Sequence, residues 1–261
     1  MSKKKKLFTL FLALTVVFTM CFAAVPAYAA SGTAITNADE LKAMSANGNY
    51  YLANDIEVPA NLILFTSYDA PFTGSLDGNG HAIKGYTYTS SADWTEQAAL
   101  FGYAKKATFK NLKMTNVNIS LNQAGTVAAL VADSENCKFT DISVSGKIVG
   151  KSLNTAAGIV AYSYEGGTLT NCKNSADITI TNADEGSSAA GVAGFIGSAG
   201  SMKNCSNSGK ISISGSIEAA SISAAGVVFG VGKATSCKNS GTISVSAIGN
   251  GSMNDECIAA G

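Results

Sequence analysis

The chain has 261 residues, of which 46% are hydrophobic and only 14% charged, with 27 glycines and no formal net charge. All 18 basic residues are lysines, so the bidentate guanidinium recognition of phosphate and carboxylate is absent, and the clustered positive charge that nucleic-acid binding requires is missing. The length suits one domain with a continuous core.

The amino terminus reads as a targeting segment rather than as part of the fold. Lys3 to Lys6 form a basic stretch, Leu7 to Ala24 an apolar one, and Ala27-Tyr28-Ala29 a small-x-small site. Residues 1–29 are therefore expected to be a signal peptide cleaved between Ala29 and Ala30. The apolar run is marginal for spanning a bilayer, and no second long run exists, so the mature chain is not expected to be an integral membrane protein. Without Lys3–Lys6 it carries 14 lysines against 18 acids, a charge of −4. The expected location is secreted or cell-surface.

Residues 30–60 read as an amino-terminal cap. Asn37 with Glu40 three residues on predicts a short helix from Ala38 to Met44 that stops at Asn47-Gly48, followed by strands at Tyr50–Leu52 and Asp55–Val58. Such a helix would cover the open end of a stack of strands. Residues 61–261 then read as repeats. Phe72 to Ile83 contains a tight turn around Asn79, and Ser90 to Gln97, with the only tryptophan (Trp94), reads as a loop.

Ala124-Gly125, Ala156-Ala157-Gly158, Ala189-Ala190-Gly191, Ala224-Ala225-Gly226 and Ala259-Ala260-Gly261 recur 33, 33, 35 and 35 residues apart. Four of the glycines precede a short apolar run, then a cysteine, then alternating Ile/Val and Ser/Thr. A fixed period of this size, with strands and no helices, predicts stacked units that cannot bury their apolar faces alone. The fold class predicted is all-β, a right-handed parallel β-helix with one coil per repeat and a short capping helix behind the signal peptide. The chain stops where a further repeat would begin, which predicts either that more chain once followed, as in the amino-terminal part of a larger surface protein, or that the last coil is disordered.

Two ladders are expected in the stack. Leu112, Cys137, Cys172, Cys205 and Cys237 form the first, one strand spacing of about 4.8 Å apart. It is read as interior thiols serving as small apolar residues, with inter-coil disulfides or a metal site as alternatives. The second is an asparagine ladder, Asn174, Asn207 and Asn239, in a position held earlier by Met114 and Phe139. His81 is the only histidine, with Asp77 as its nearest expected partner; this turn is read as structural. The adjacent acids Asp39-Glu40, Asp184-Glu185 and Asp255-Glu256 share no spacing, and no acidic cluster on one face is visible.

Ala99-Leu100-Phe101-Gly102, Gly158-Ile159-Val160-Ala161 and Gly191-Val192-Ala193-Gly194 resemble the GLUG motif, a Gly-Leu-apolar-Gly repeat of secreted bacterial β-helix proteins. Asn171-Cys172-Lys173-Asn174-Ser175 and Asn204-Cys205-Ser206-Asn207-Ser208 resemble its downstream segment. The family occurs in adhesin-like surface proteins and beside the catalytic part of immunoglobulin A peptidases. The resemblance implies a non-enzymatic binding or spacer module with no cofactor, whose partner is a host or cell-surface protein or a glycan. A carbohydrate-active β-helix, or an accessory region of a truncated surface protease, are the alternatives; the first would require clustered acids in a groove.

Overall fold

The computed structural model describes residues 31–183, 186–217, 221–249 and 256–260. The signal segment with its Ala29–Ala30 junction and the Asp184-Glu185 pair lie outside the described residues, as do Asp255 and the side chains of Glu256 and Cys257.

Every strand pairing among the described residues is parallel and joins one coil to the next. An eight-stranded sheet runs from Thr33–Ile35 and Asn49–Leu52 through Ser75–Asp77, Thr108–Lys110, Lys138–Thr140, Thr168–Thr170 and Ser201–Lys203 to Lys233–Thr235. A second sheet is built around the long strands Lys113–Ala128 and Ser143–Ala157. A third contains Phe101–Lys105, Val131–Glu135, Val160–Tyr164, Ala193–Ile196 and Val228–Gly230. The result is a parallel β-solenoid. Residues 31–60 already contribute strands to the first two sheets, so they lie in the same stack as the later coils.

The single helix described is Ala38–Lys42. Asn37 accepts hydrogen bonds from the Asp39 and Glu40 amides at 3.0 Å each, while Glu40 reaches back to the Thr36 amide. These contacts satisfy amides that a helix start leaves unpaired. Leu41 is fully buried, which fastens the helix to the core.

Each coil turns from the first sheet into the second through a residue in the left-handed region. Asn111, Asp141, Asn171, Asn204 and Ser236 have φ between 50 and 56°. Asn and Asp tolerate this conformation because their short side chains bond locally. Here they bond along the stack: Asn204 Nδ2 donates to Asn171 Oδ1, and Asn171 Nδ2 to Asp141 Oδ1. The residue after each corner points inward.

That register corrects the cysteine ladder. Ser143 pairs with Lys113 and Lys173, and Lys173 with Ser206, which pairs with Lys238. The column is therefore Leu112, Ile142, Cys172, Cys205, Cys237. Cys137 stands one strand earlier, between Ala107 and Gly167, whose neighbours pair in the first sheet. All four thiols are free. Cys137, Cys172 and Cys205 are buried and Cys237 partly so. Burial pushes the Cys137 thiol up to about 11. The neighbouring Cys205 thiol and burial raise Cys172.

Phe139 is corrected in the same way. Val144, not Phe139, pairs with Met114 and Asn174. Phe139 lies in the first sheet opposite Phe109 and Leu169. It joins a run of buried rings in which Phe109 lies 5.0 to 5.7 Å from Phe72, Phe101 and Phe139.

Candidate functional site: an acidic aromatic groove

The asparagine ladder is internal. Asn174 and Asn207 are buried, and Asn174 Nδ2 donates to Asn207 Oδ1 at 2.8 Å, as Asn207 does to Asn239 at 2.9 Å. Each amide also closes a turn, bonding the carbonyl two residues on and accepting from the amide there. With the donors and acceptor of Asn207 all engaged inside the wall and Asn174 buried beside it, this ladder is part of the scaffold. The cysteine column likewise faces the interior. Neither ladder presents a surface to a ligand.

His81 is corrected as well. Its Nδ1 lies 3.6 Å from Asp55, which is held by Lys84 at 2.6 Å. Asp77 is engaged instead by the Asn79 amide, Asn111 and Lys110. Local turn bonding claims Asp77, so the His81–Asp77 pair does not form.

The chemistry gathers on the third sheet. Asp133 pairs in register with Tyr103 on one coil and Tyr162 on the next, and Tyr162 with Phe195. Two residues further on, Glu135 pairs with Lys105 and Tyr164. Trp94 precedes, and Glu96 lies on, the strand Thr95–Ala98, which pairs with Lys113–Ala128 in the second sheet instead of forming the loop expected there, and the segment bearing Tyr68 lines the other side. Together they enclose a groove of about 530 Å³ lined by Tyr68, Trp94, Tyr103 and Tyr164 and by the carboxylates of Glu96, Asp133, Glu135 and Glu165.

Trp94 is 54% exposed and Tyr68 64%, large apolar surfaces for a chain to leave in water. Of the lining rings, Tyr68 meets Tyr103 edge-on at 5.8 Å, and Tyr164 lies against Tyr162 at 4.4 Å. Gly125 makes the groove possible. A Cβ there would lie 2.6 Å from the Glu96 carbonyl oxygen, so only glycine lets the Trp94 segment lie against the sheet.

Asp133 is the unusual group. It is 7% exposed, and Gln97 Nε2 and Thr126 Oγ1 both donate to its Oδ2. Its Oδ1 is buried and has no partner. Burial, together with the charge of Glu96 and against the bonds from Gln97 and Thr126, raises its pKa above the ordinary carboxylate value. Lys105 pairs with Glu135 at 2.7 Å and is the lysine at the groove's edge.

A raised carboxyl pKa means that the folded state holds the proton more tightly than the unfolded chain. Its ionised form therefore costs stability above the folded pKa, and the cost fades as pH falls through that value. Asp133→Asn is expected to raise the denaturation midpoint at pH 7, by a gain on the order of 1 kcal/mol. The gain should disappear near pH 4; chemical denaturation at both pH values measures it.

The sequence signals none of this cluster. Glu96, Asp133 and Glu135 stand 37 and 2 residues apart, and only the strand register brings them together. The absence of an acidic cluster on one face, expected from the sequence, is overturned. The signal available was Trp94 beside Glu96, in a segment read as a loop.

No protein-family model and no curated protein matches the chain. One solved structure does: a crystal structure from Bacteroides ovatus described as a "putative immunoglobulin A1 protease", with a TM-score of 0.51 and 16% identity over 84% of this chain and 86% of that one. The likeness is one of fold. It places the chain among parallel β-solenoids and carries no residue of the groove with it.

Proposed function

We propose that the chain is an exported, non-enzymatic β-solenoid that acts at the cell surface as an adhesin-like binding module, with the groove on the third sheet as its binding face. The groove is the observation that carries this reading. It combines exposed rings, an unpartnered buried carboxylate oxygen and a rigid floor of in-register strands, which is how binding sites are built. The GLUG-like segments support a secreted, repetitive surface protein, and the signal-like amino terminus supports export. A second reading, accessory region of a surface protease, is favoured by the name of the solved structure that shares the fold, and the carbohydrate-active alternative is favoured by the acids that line the groove.

Cells producing the full chain test the proposal. The protein is expected outside the cytoplasm with Ala30 as its first residue, and accessible to added protease. The purified chain is expected to leave immunoglobulin A and uronic-acid polymers intact. A retained Lys3–Lys6 segment in cytosolic protein would sink the export reading, and cleavage of either substrate would sink the non-enzymatic one.

A further inference from the structure

The groove has a charge as well as a shape. Glu96, Asp133, Glu135 and Glu165 line it, and against them stands one cation at the rim, Lys105, already committed to Glu135. The surrounding rings feel this. Burial, followed by the charges of Glu96 and Asp133, raises the pKa of the Tyr103 hydroxyl. A site so negative repels uronic acids, sialylated glycans and phosphates. A neutral sugar would supply hydroxyl donors and leave the carboxylates uncompensated.

What the groove lacks is a donor that brings positive charge. Asp133 Oδ1 has no hydrogen-bond partner, and Glu96 engages only the Tyr103 hydroxyl, at the long distance of 3.5 Å. Around these acceptors stand the faces and edges of Trp94, Tyr68 and Tyr164. Electron-rich rings attract cations, and a guanidinium both stacks on a ring and bonds a carboxylate through its edge.

We propose that the groove binds the cationic side chain of a basic partner polypeptide, an arginine or lysine whose N–H groups reach Asp133 and Glu96 while its apolar stem lies on Trp94 and Tyr68. The inference rests on the reading of the groove as the binding face and names its ligand. The negative field would also speed encounter with a basic partner, at a rate that falls with salt.

Trp94 is the only tryptophan, so its fluorescence reports occupancy directly. The mature chain is titrated with capped Gly-Arg-Gly repeats, the same peptide with lysine, the same peptide with uncharged citrulline, and a neutral oligosaccharide. Saturable quenching or shift is expected with the arginine and lysine peptides, at least tenfold tighter than with citrulline and weakened by added salt. Stronger binding of arginine than lysine would assign the rings a stacking role. Glu96→Gln, an exposed and conservative change, is expected to weaken binding at least fivefold with an unchanged melting curve. Asp133→Asn is expected to weaken binding likewise, together with the raised stability at pH 7 given above.

Equal binding of the citrulline and arginine peptides, or tighter binding of the oligosaccharide, overturns the cationic ligand and leaves the groove as a binding face. Attachment of the exported chain to surfaces separates the two failures. If Trp94→Ala abolishes attachment while no cationic peptide binds, the ligand assignment fails alone. If Trp94→Ala and Glu96→Gln leave attachment unchanged and no probe moves Trp94 emission, both the ligand and the binding face are wrong.

Discussion

Gly191→Ala is expected to destabilise the solenoid by about 3 kcal/mol. A Cβ at Gly191 would lie 2.1 Å from the Gly226 carbonyl oxygen and 2.4 Å from Asn207 Cγ, distances that real side chains do not reach. Asn207 cannot move aside, because its amide bonds Asn174, Asn239 and both backbone groups of Gly209. The pairing is general: Gly158 faces Asn174 and Gly226 faces Asn239. Where the ladder position is Val144, the position level with Gly158 is Ala129, whose amide donates to the Gly158 carbonyl. The coil thus offers two compatible pairs, Gly with Asn and Ala with Val. Asn207→Val alone should also cost about 3 kcal/mol, since it strands buried partners. The double variant Gly191→Ala/Asn207→Val should cost at least about 1 kcal/mol less than the two single losses together. Denaturant unfolding of the four proteins measures the coupling, and simple additivity would show that the two positions do not share space.

Phe109→Ala should cost about 3–5 kcal/mol. Phe109 is fully buried and is the ring that Phe72, Phe101 and Phe139 have in common, parallel to Phe139 and edge-on to Phe101. It occupies the first sheet between Leu76 and Phe139, so its loss opens a cavity that spans the contact between three coils. The rigid in-register backbone leaves little room for collapse. Phe139→Ala lacks the contacts to Phe72 and Phe101 and should cost less. Reversal of that order would mean that the two rings do not pack as described.

The fold was legible because its causes are local and repeated. Small residues at fixed spacing, alternating Ile and Ser, and the Asn-Cys steps each name a coil. What misled was the anchor of the first repeat. Ala124-Gly125 has the right letters, yet the residue level with Gly158 is Ala129, on the coil whose ladder position is held by Val144. From Gly125 the repeat spacing points to Cys137 and Phe139; from Ala129 it points to Ile142 and Val144. Gly125 serves Trp94 instead. The groove was illegible for a different reason. Its acids come from separate strands that share no motif, and their meeting depends on a register that periodicity alone leaves open by one turn.

The internal amides hand their hydrogen bond on in one sense only, from Asn174 to Asn207 and from Asn207 to Asn239. Such a row has a head and a tail, and each rung presents to its successor the same N–H donor that it received from its predecessor. A tandem copy of the stretch between two of these asparagines, inserted in frame, would find its donor and acceptor waiting and would need no compensating change in its neighbours. The molecule can therefore be lengthened by gene duplication in steps of one rung, at little cost to stability.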